Sequence, residues 1–297
     1  MCFENGVIAP QRLVIRIRAL TTADLGLAMR LKAQAGWNQL EGDWQRFLFM
    51  QPDGCFVAEW DRVPVGTAVA CIFDEVAWLA MVLVDVAARG RGVGTALVRH
   101  ALAFLDRAGV RCVRLDATPL GQPLYQKLGF VPEYAVARYE GVLSTVADEP
   151  FPRPAMSVVT AGQNDYERLC ALDCSVVGAD RQKFLVRLFH ELPEAVRLVK
   201  KSGEIEGYLT ARPGSEALQI GPCVAAEEVG ATLLADAAWR YAGQRVVLDV
   251  PLGNAPAVRL AQSLRLNVGR SFVRMRRGPA VGDDLSRLWA SSGPELG

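Results

Sequence analysis

An almost unbroken apolar run over Trp78–Val84 predicts a strand buried on both faces. A glycine-rich turn follows, and then a segment from Gly94 to Ala108 with helical periodicity. Leu97, Ala101, Phe104, Leu105 and Ala108 share one face of it, against Arg99, His100, Asp106 and Arg107 on the other. Gly109 suits the cap that ends this helix. Around this centre the first half alternates strands and helices. Leu13–Arg18, Cys55–Trp60, Val65–Phe73, Val110–Ala117 and Val136–Tyr139 read as strands. A helix runs from the capping residues Thr21–Asp24 towards Ala35, and a short one covers Pro119–Leu128.

The second half repeats the plan. Ala195–Lys200, Ile205–Ala211, Arg245–Val250 and Ser271–Met275 are predicted strands, and Glu227–Ala242 and Ala255–Leu264 predicted helices. Sliding the halves together places Gly230 on Gly94, Leu264 on Leu128, Leu266 on Phe130 and Arg274 on Arg138. This self-similarity predicts two tandem α/β domains, residues 1–141 and 157–278. A proline-rich linker at 142–156 joins them, and a polar tail follows at 279–297.

Composition narrows the function by exclusion. The 33 basic and 32 acidic residues leave a formal charge of +1, which gives no electrostatic footprint for nucleic acid or an acidic membrane surface. Met1 to Arg18 lacks the apolar core of a signal peptide, and no run is long enough to span a membrane, so a cytoplasmic protein is expected. Seven scattered cysteines, from Cys2 to Cys223, contain no C-x-x-C pair and read as buried free thiols. With only His100 and His190, no metal site is expected.

The candidate chemistry lies in the loop Arg89-Gly90-Arg91-Gly92-Val93-Gly94-Thr95. First-turn N–H groups lack intrahelical partners, the helix dipole adds partial positive charge, and glycines let a phosphate approach the main chain. No Gly-Lys-Ser/Thr follows, which excludes a Walker loop, and the spacing is not that of a dinucleotide fold.

This strand and loop resemble motif A of the GNAT acetyltransferase superfamily, whose pattern is R/Q-x-x-G-x-G/A. Leu124-Tyr125-Gln126-Lys127-Leu128-Gly129-Phe130, some 30 residues on, resembles the end of its motif B. The likeness covers Leu13–Gly141. A weaker one, in Ile220-Gly221-Pro222 and Asp249-Val250-Pro251…Asn254, is to the C-terminal domain of two-domain members. The resemblance implies a three-layer α+β fold, each domain a mixed, mostly antiparallel, splayed sheet flanked by helices. It further implies acetyl-coenzyme A as cofactor, with pantetheine along the main chain of Val82, Leu83 and Val84 and the diphosphate on residues 89–95. Thr118 stands where many members carry an Asn that touches pantetheine.

The implied reaction is transfer of an acetyl group to a primary amine by direct attack in a ternary complex. A lysine-like amine with pKa about 10.4 is neutral only once in several thousand molecules at pH 7, so its deprotonation costs about 4–5 kcal/mol. Tyr125 sits where the family places the general acid to the departing thiolate. Asp116 is the first candidate base, with Asp74, Glu75 or a relayed water as alternatives. Trp37, Asn38 and Trp44, after the first helix, are the candidate acceptor pocket for a small-molecule or peptide amine. A monomer or homodimer is expected. In the second half the loop becomes Ala225-Ala226-Glu227-Glu228-Val229-Gly230 and the tyrosine Ala261, so one coenzyme site per chain is expected. The alternative is a module that senses acetyl-CoA without turnover.

Overall fold

The computed structural model describes residues 14–144 and 153–297. Its elements in the first half are β1 (Ile15–Ala19), α1 (Leu25–Gln34), α2 (Glu41–Met50), β2 (Cys55–Trp60), β3 (Val63–Phe73), β4 (Val76–Val84), α3 (Val93–Arg107), β5 (Cys112–Ala117), α4 (Gln122–Lys127) and β6 (Val131–Val142). The second half contains β7 (Val159–Thr160), α5 (Tyr166–Val177), α6 (Gln182–Glu191), β8 (Arg197–Lys201), β9 (Glu204–Arg212), β10 (Leu218–Ala225), α7 (Glu227–Arg240), β11 (Arg245–Pro251), α8 (Ala255–Ser263), β12 (Asn267–Arg277) and β13 (Leu288–Ala290). Residues 1–13, with Cys2 and Leu13 among them, and linker residues 145–152 lie outside the described residues. No helix among the described residues is long and apolar enough to cross a membrane.

All the described strands belong to one sheet, in the order β1-β2-β3-β4-β5-β12-β6-β11-β10-β9-β8-β7, with β13 added to β10. Its centre is a strand exchange. β12 of the second half lies between β5 and β6 of the first, and β6 lies between β12 and β11. That explains why β6 and β12 run well beyond the predicted Val136–Tyr139 and Ser271–Met275: each has a ladder on both edges, supplied by the other half. The pairing is antiparallel except at β4–β5 and β10–β11.

Helices cover both faces, giving three layers. On one face α3 packs through Leu97, Val98, Ala101, Leu102 and Leu105, and α7 through Val229, Leu233, Leu234 and Ala237, each over its own half. The other face holds a single core shared by both halves, in which Leu31, Trp44 and Phe47 meet Leu169, Phe184 and Leu188. Helices α2, α5 and α6 build that core; the amphipathic α6 buries Phe184, Leu185, Leu188 and Phe189.

The predicted polar tail at 279–297 is a correction. Leu288, Trp289 and Ala290 are fully buried strand residues, and Ser291, Ser292, Glu295 and Leu296 are buried beyond them. Buried arginines hold part of this segment: Arg181 donates to Ser292 Oγ and Leu296 O, each at 2.9 Å, and Arg212 pairs with Glu295. The cysteines agree with expectation among the described residues: Cys55, Cys71, Cys112, Cys170 and Cys223 are buried free thiols and Cys174 is half-buried.

Candidate functional site

β4 and β5 are laddered only over Val76–Trp78 against Cys112–Arg114, and beyond Trp78 the two parallel strands part. Beyond this last pair β4 shifts register against β3 at Met81, whose φ of 51° lies in the left-handed region. Such a conformation costs a non-glycine residue of order 1–3 kcal/mol and is held here by surrounding contacts. Thr67 Oγ1 donates to Met81 O at 2.9 Å, and Met81 is fully buried. The bulge turns the edge formed by Val82, Leu83 and Val84 into a V-shaped opening between β4 and β5. A strand edge of this kind can pair with an amide-bearing chain as though it were another strand.

At the open end of the V stands the glycine loop. Gly90 and Gly92 have φ of 73° and 84°, and a Cβ at either would meet nothing within 4 Å. They are therefore glycine for the backbone conformation they adopt, and the space above them is free for a ligand. Gly92 caps α3, so the amides of Val93, Gly94 and Thr95 form its first turn. Arg89 and Arg91 are exposed beside them; Arg89 Nε donates to Val84 O at 3.1 Å and Arg91 stacks over Trp60 at 4.2 Å. A side cavity of about 440 Å³ lined by Arg30, Trp60, Asp85 and Arg91 flanks the loop. Unpaired amides at a helix N-terminus with two arginines nearby fit a diphosphate.

The third wall of the V is α4. Leu124 and Val84 both come within 3.7 Å of where a Gly94 Cβ would be, so strand end, helix start and α4 converge at this glycine. Thr118 accepts from Gly121 N through Oγ1 at 3.2 Å and sets the turn into α4. The Tyr125 ring packs edge-on to Phe130 at 5.8 Å, with Gly121 leaving room for it. Its hydroxyl has no hydrogen-bond partner among the described residues, and burial pushes the phenol above its ordinary value. Tyr125 is thus a protonated donor across the physiological range.

Other predicted site residues are engaged elsewhere. Asp116 accepts from Arg274 Nε and Nη2, each at 2.8 Å, and both side chains are 1% exposed. That bidentate ion pair joins β5 to β12 and leaves the carboxylate no free face for an amine. Asn38 docks the halves together: its Oδ1 accepts from Glu216 N and Ala217 N, and its Nδ2 donates to Ala217 O. Trp44 is buried in the shared core, with Trp37 half-buried against it. Asp74 and Glu75 occupy the turn before β4, roughly 30 Å along the strand from Val84. Glu75 pairs there with Arg111, and Asp74 lines a cavity of about 850 Å³ between α2 and α6.

Sequence reasoning missed the polar cluster under the V. Arg114 is held by Asp283 and Glu133, Arg274 donates to Tyr134 Oη at 2.7 Å, and the Tyr134 hydroxyl donates to Asp283. Arg274 also lies over the Trp78 ring, at 4.6 Å. These residues come from distant segments, and only the strand exchange brings them together.

Comparison with known proteins finds the same architecture. The family model described as the acetyltransferase (GNAT) family matches residues 27–130, and one described as an acetyltransferase (GNAT) domain matches 169–290. Bacillus subtilis YitH, an uncharacterized N-acetyltransferase, is 27% identical over 202 residues, covering 66% of this chain and 68% of its own. Holothin acyltransferase of a Pseudoalteromonas species is 24% identical over 264 residues, 88% of this chain and 87% of its own. Among solved structures, an acetyltransferase from Pyrococcus horikoshii superposes with a TM-score of 0.78 at 25% identity, covering 95% of this chain and 96% of the other. A tandem GNAT protein from the clavulanic acid biosynthesis pathway superposes with a TM-score of 0.66 at 16% identity, covering 90% and 100%.

Proposed function

Because the chain belongs to the GNAT superfamily as a two-domain member, we propose that its first half transfers the acetyl group of acetyl-CoA to a primary amine. The observation that carries this reading is the convergence on one V of a strand edge, a helix N-terminus with left-handed glycines, and a half-buried phenol with no hydrogen-bond partner among the described residues. The coenzyme would supply the activated acyl group. Val82–Val84 would hold its amide arm, and residues 89–95 its diphosphate, each amide bond to a charged oxygen contributing roughly 1.5–3 kcal/mol.

In the proposed step the amine nitrogen attacks the thioester carbonyl, the carbon–sulfur bond breaks, and the proton shed by the nitrogen passes through water to the thiolate, giving an amide and CoA thiol. Tyr125 donates a hydrogen bond to the sulfur as negative charge collects there. Its raised pKa exceeds that of an ordinary thiol, about 8.5, so it stabilises the thiolate without surrendering its proton early. The amine reaches its neutral form by desolvation and by water, since Asp116 is committed to Arg274. Holothin acyltransferase aligns over most of both chains, which supports acyl transfer by the two-domain unit as a whole.

The committed state of Asp116 also favours the second reading, a module that holds acetyl-CoA without turnover. Release of CoA thiol across a panel of small amines and peptides separates the two. Tight acetyl-CoA binding without thiol release from any acceptor would reject the enzyme. For the mechanism, Tyr125→Phe is expected to lower turnover about 10²-fold or more with acetyl-CoA affinity unchanged; undiminished turnover would remove Tyr125 from the reaction.

A further inference from the structure

The second half has its own V. β10 and β11 are parallel and laddered only over Leu218–Ile220 against Val246–Leu248, the same three-pair length as β4 and β5. Here the opening contains the chain itself. β13 pairs with the diverging edge of β10, Cys223 opposite Ala290 and Val224 opposite Leu288, and Ala225 N donates to Arg287 O at 2.9 Å. On the other wall Ser291 N donates to Asp249 O of β11, also at 2.9 Å. Asn254, the residue of this half in the place of Thr118, caps α8 through Oδ1 and donates from Nδ2 to Leu288 O at 3.2 Å. Trp289 lies against the start of α7 so closely that a Cβ on Gly230 would fall 2.1 Å from its indole.

From these contacts we infer that residues 287–291 occupy in the second half the place that the first half keeps for the coenzyme arm, and that Trp289 is thereby a positioning residue for the first-half cleft. The inference rests on the acetyl-CoA reading above for what the first V binds. The peptide satisfies the same groups an amide-bearing arm would: a strand edge, the opposite strand and the cap of the following helix. The indole fills the space over the helix start that a diphosphate would need. Beyond the anchor, residues 292–297 cross to the first half, where Trp78 Nε1 donates to Pro294 O at 3.1 Å and Gly297 packs on the same ring. Trp78 is the last β4 residue laddered to β5, the apex from which the first V opens. One segment therefore closes one V and braces the other.

The test uses the full-length chain. Calorimetric titration with acetyl-CoA is expected to give one site per chain, and hydrogen exchange is expected to show the amides of Ala225 and Ser291 protected to the level of the core. Asn254→Thr copies the first half, keeping a helix cap while removing the donor to Leu288. It is expected to speed exchange at both amides roughly two- to tenfold, the worth of one hydrogen bond, and to raise the KM for acetyl-CoA with kcat little changed. Gly230→Ala, which collides with the indole, should do the same more strongly, with partial recovery in Gly230→Ala/Trp289→Ala. Two coenzymes per wild-type chain, or wild-type exchange at Ala225 and Ser291 in both single variants, would overturn the placement of the segment. An unchanged KM alongside faster exchange would overturn its positioning role. If the wild type binds no acetyl-CoA, the functional reading fails, while exchange still decides where the segment lies.

Discussion

Gly92→Ala and Gly109→Ala make a controlled pair at the two ends of α3. Both glycines have left-handed φ, 84° and 75°, and at both an added Cβ would meet nothing within 4 Å. The backbone penalty is therefore the same in kind, about 1–2 kcal/mol for each. For a domain of 150–250 residues that corresponds to a fall in melting temperature of roughly 2–8 °C. Coenzyme affinity should separate them. At Gly92 the new methyl enters the space above the first-turn amides of Val93–Thr95, and displacing the diphosphate from one amide costs about 1.5–3 kcal/mol. That is roughly a ten- to 150-fold rise in Kd. At Gly109, beyond the far end of a 15-residue helix, Kd should be unchanged. Melting curves and acetyl-CoA calorimetry on the two variants provide the measurement. Equal melting losses with wild-type affinity in both would show that the loop is not the diphosphate seat; equal affinity losses would show that the effect is on folding alone.

Three further outcomes follow from the placement of side chains. Asp116→Asn removes one partner of a buried ion pair and should cost about 3–5 kcal/mol in denaturant unfolding, with the pH profile of the folded enzyme unaltered; a lost ascending limb at full stability would restore Asp116 as base. For a lysine-like acceptor, kcat/KM should rise about tenfold per pH unit as the amine loses its proton. Burial raises the Tyr125 phenol above its usual range, so no descending limb is expected below about pH 10, and one near pH 8 would contradict the assignment. Asn38→Ala, which strands the buried N–H and C=O of Ala217, should destabilise the chain by roughly 2–4 kcal/mol. A change confined to the KM of the amine would instead make Asn38 an acceptor contact.

The parts legible in the sequence are those whose causes are local. The apolar run of β4, the periodicity of α3 and the glycines that need positive φ each depend on neighbours a few residues away. Tyr125 was marked out only by the likeness of its segment to the end of motif B. Asp116 and Arg274 were not legible as a pair: they face each other only because β12 crosses into the first half, a choice made by edges far apart in sequence. The tail misled for a related reason. Arg-Leu-Trp-Ala-Ser-Ser-Gly-Pro-Glu-Leu-Gly has the composition of a loop, and its burial depends on Arg181 and Arg212, more than 70 residues upstream, which hold Ser292, Leu296 and Glu295. Asn38 and Trp44, a polar and an aromatic residue after a first helix, suit a pocket and an interface equally. The shared core and the 215–217 loop decide between them.

The first turns of α3 and α7 show how one backbone position follows opposite rules. In α3 the first turn is Val-Gly-Thr behind two left-handed glycines, with no acidic residue to neutralise the helix end. In α7 the first turn carries Glu227 and Glu228, each favourable to the dipole by about 0.3–1 kcal/mol where no other anion is present. Those carboxylates would repel a diphosphate, yet they suit a helix whose approach is filled by an indole. Strand exchange makes the second half indispensable to the first, since β6 has both of its ladders, and β5 one of its two, on strands of that half. On the acetyl-CoA reading, α3 is the helix of the two that keeps its positive end free for a ligand, and it is the one without a first-turn carboxylate.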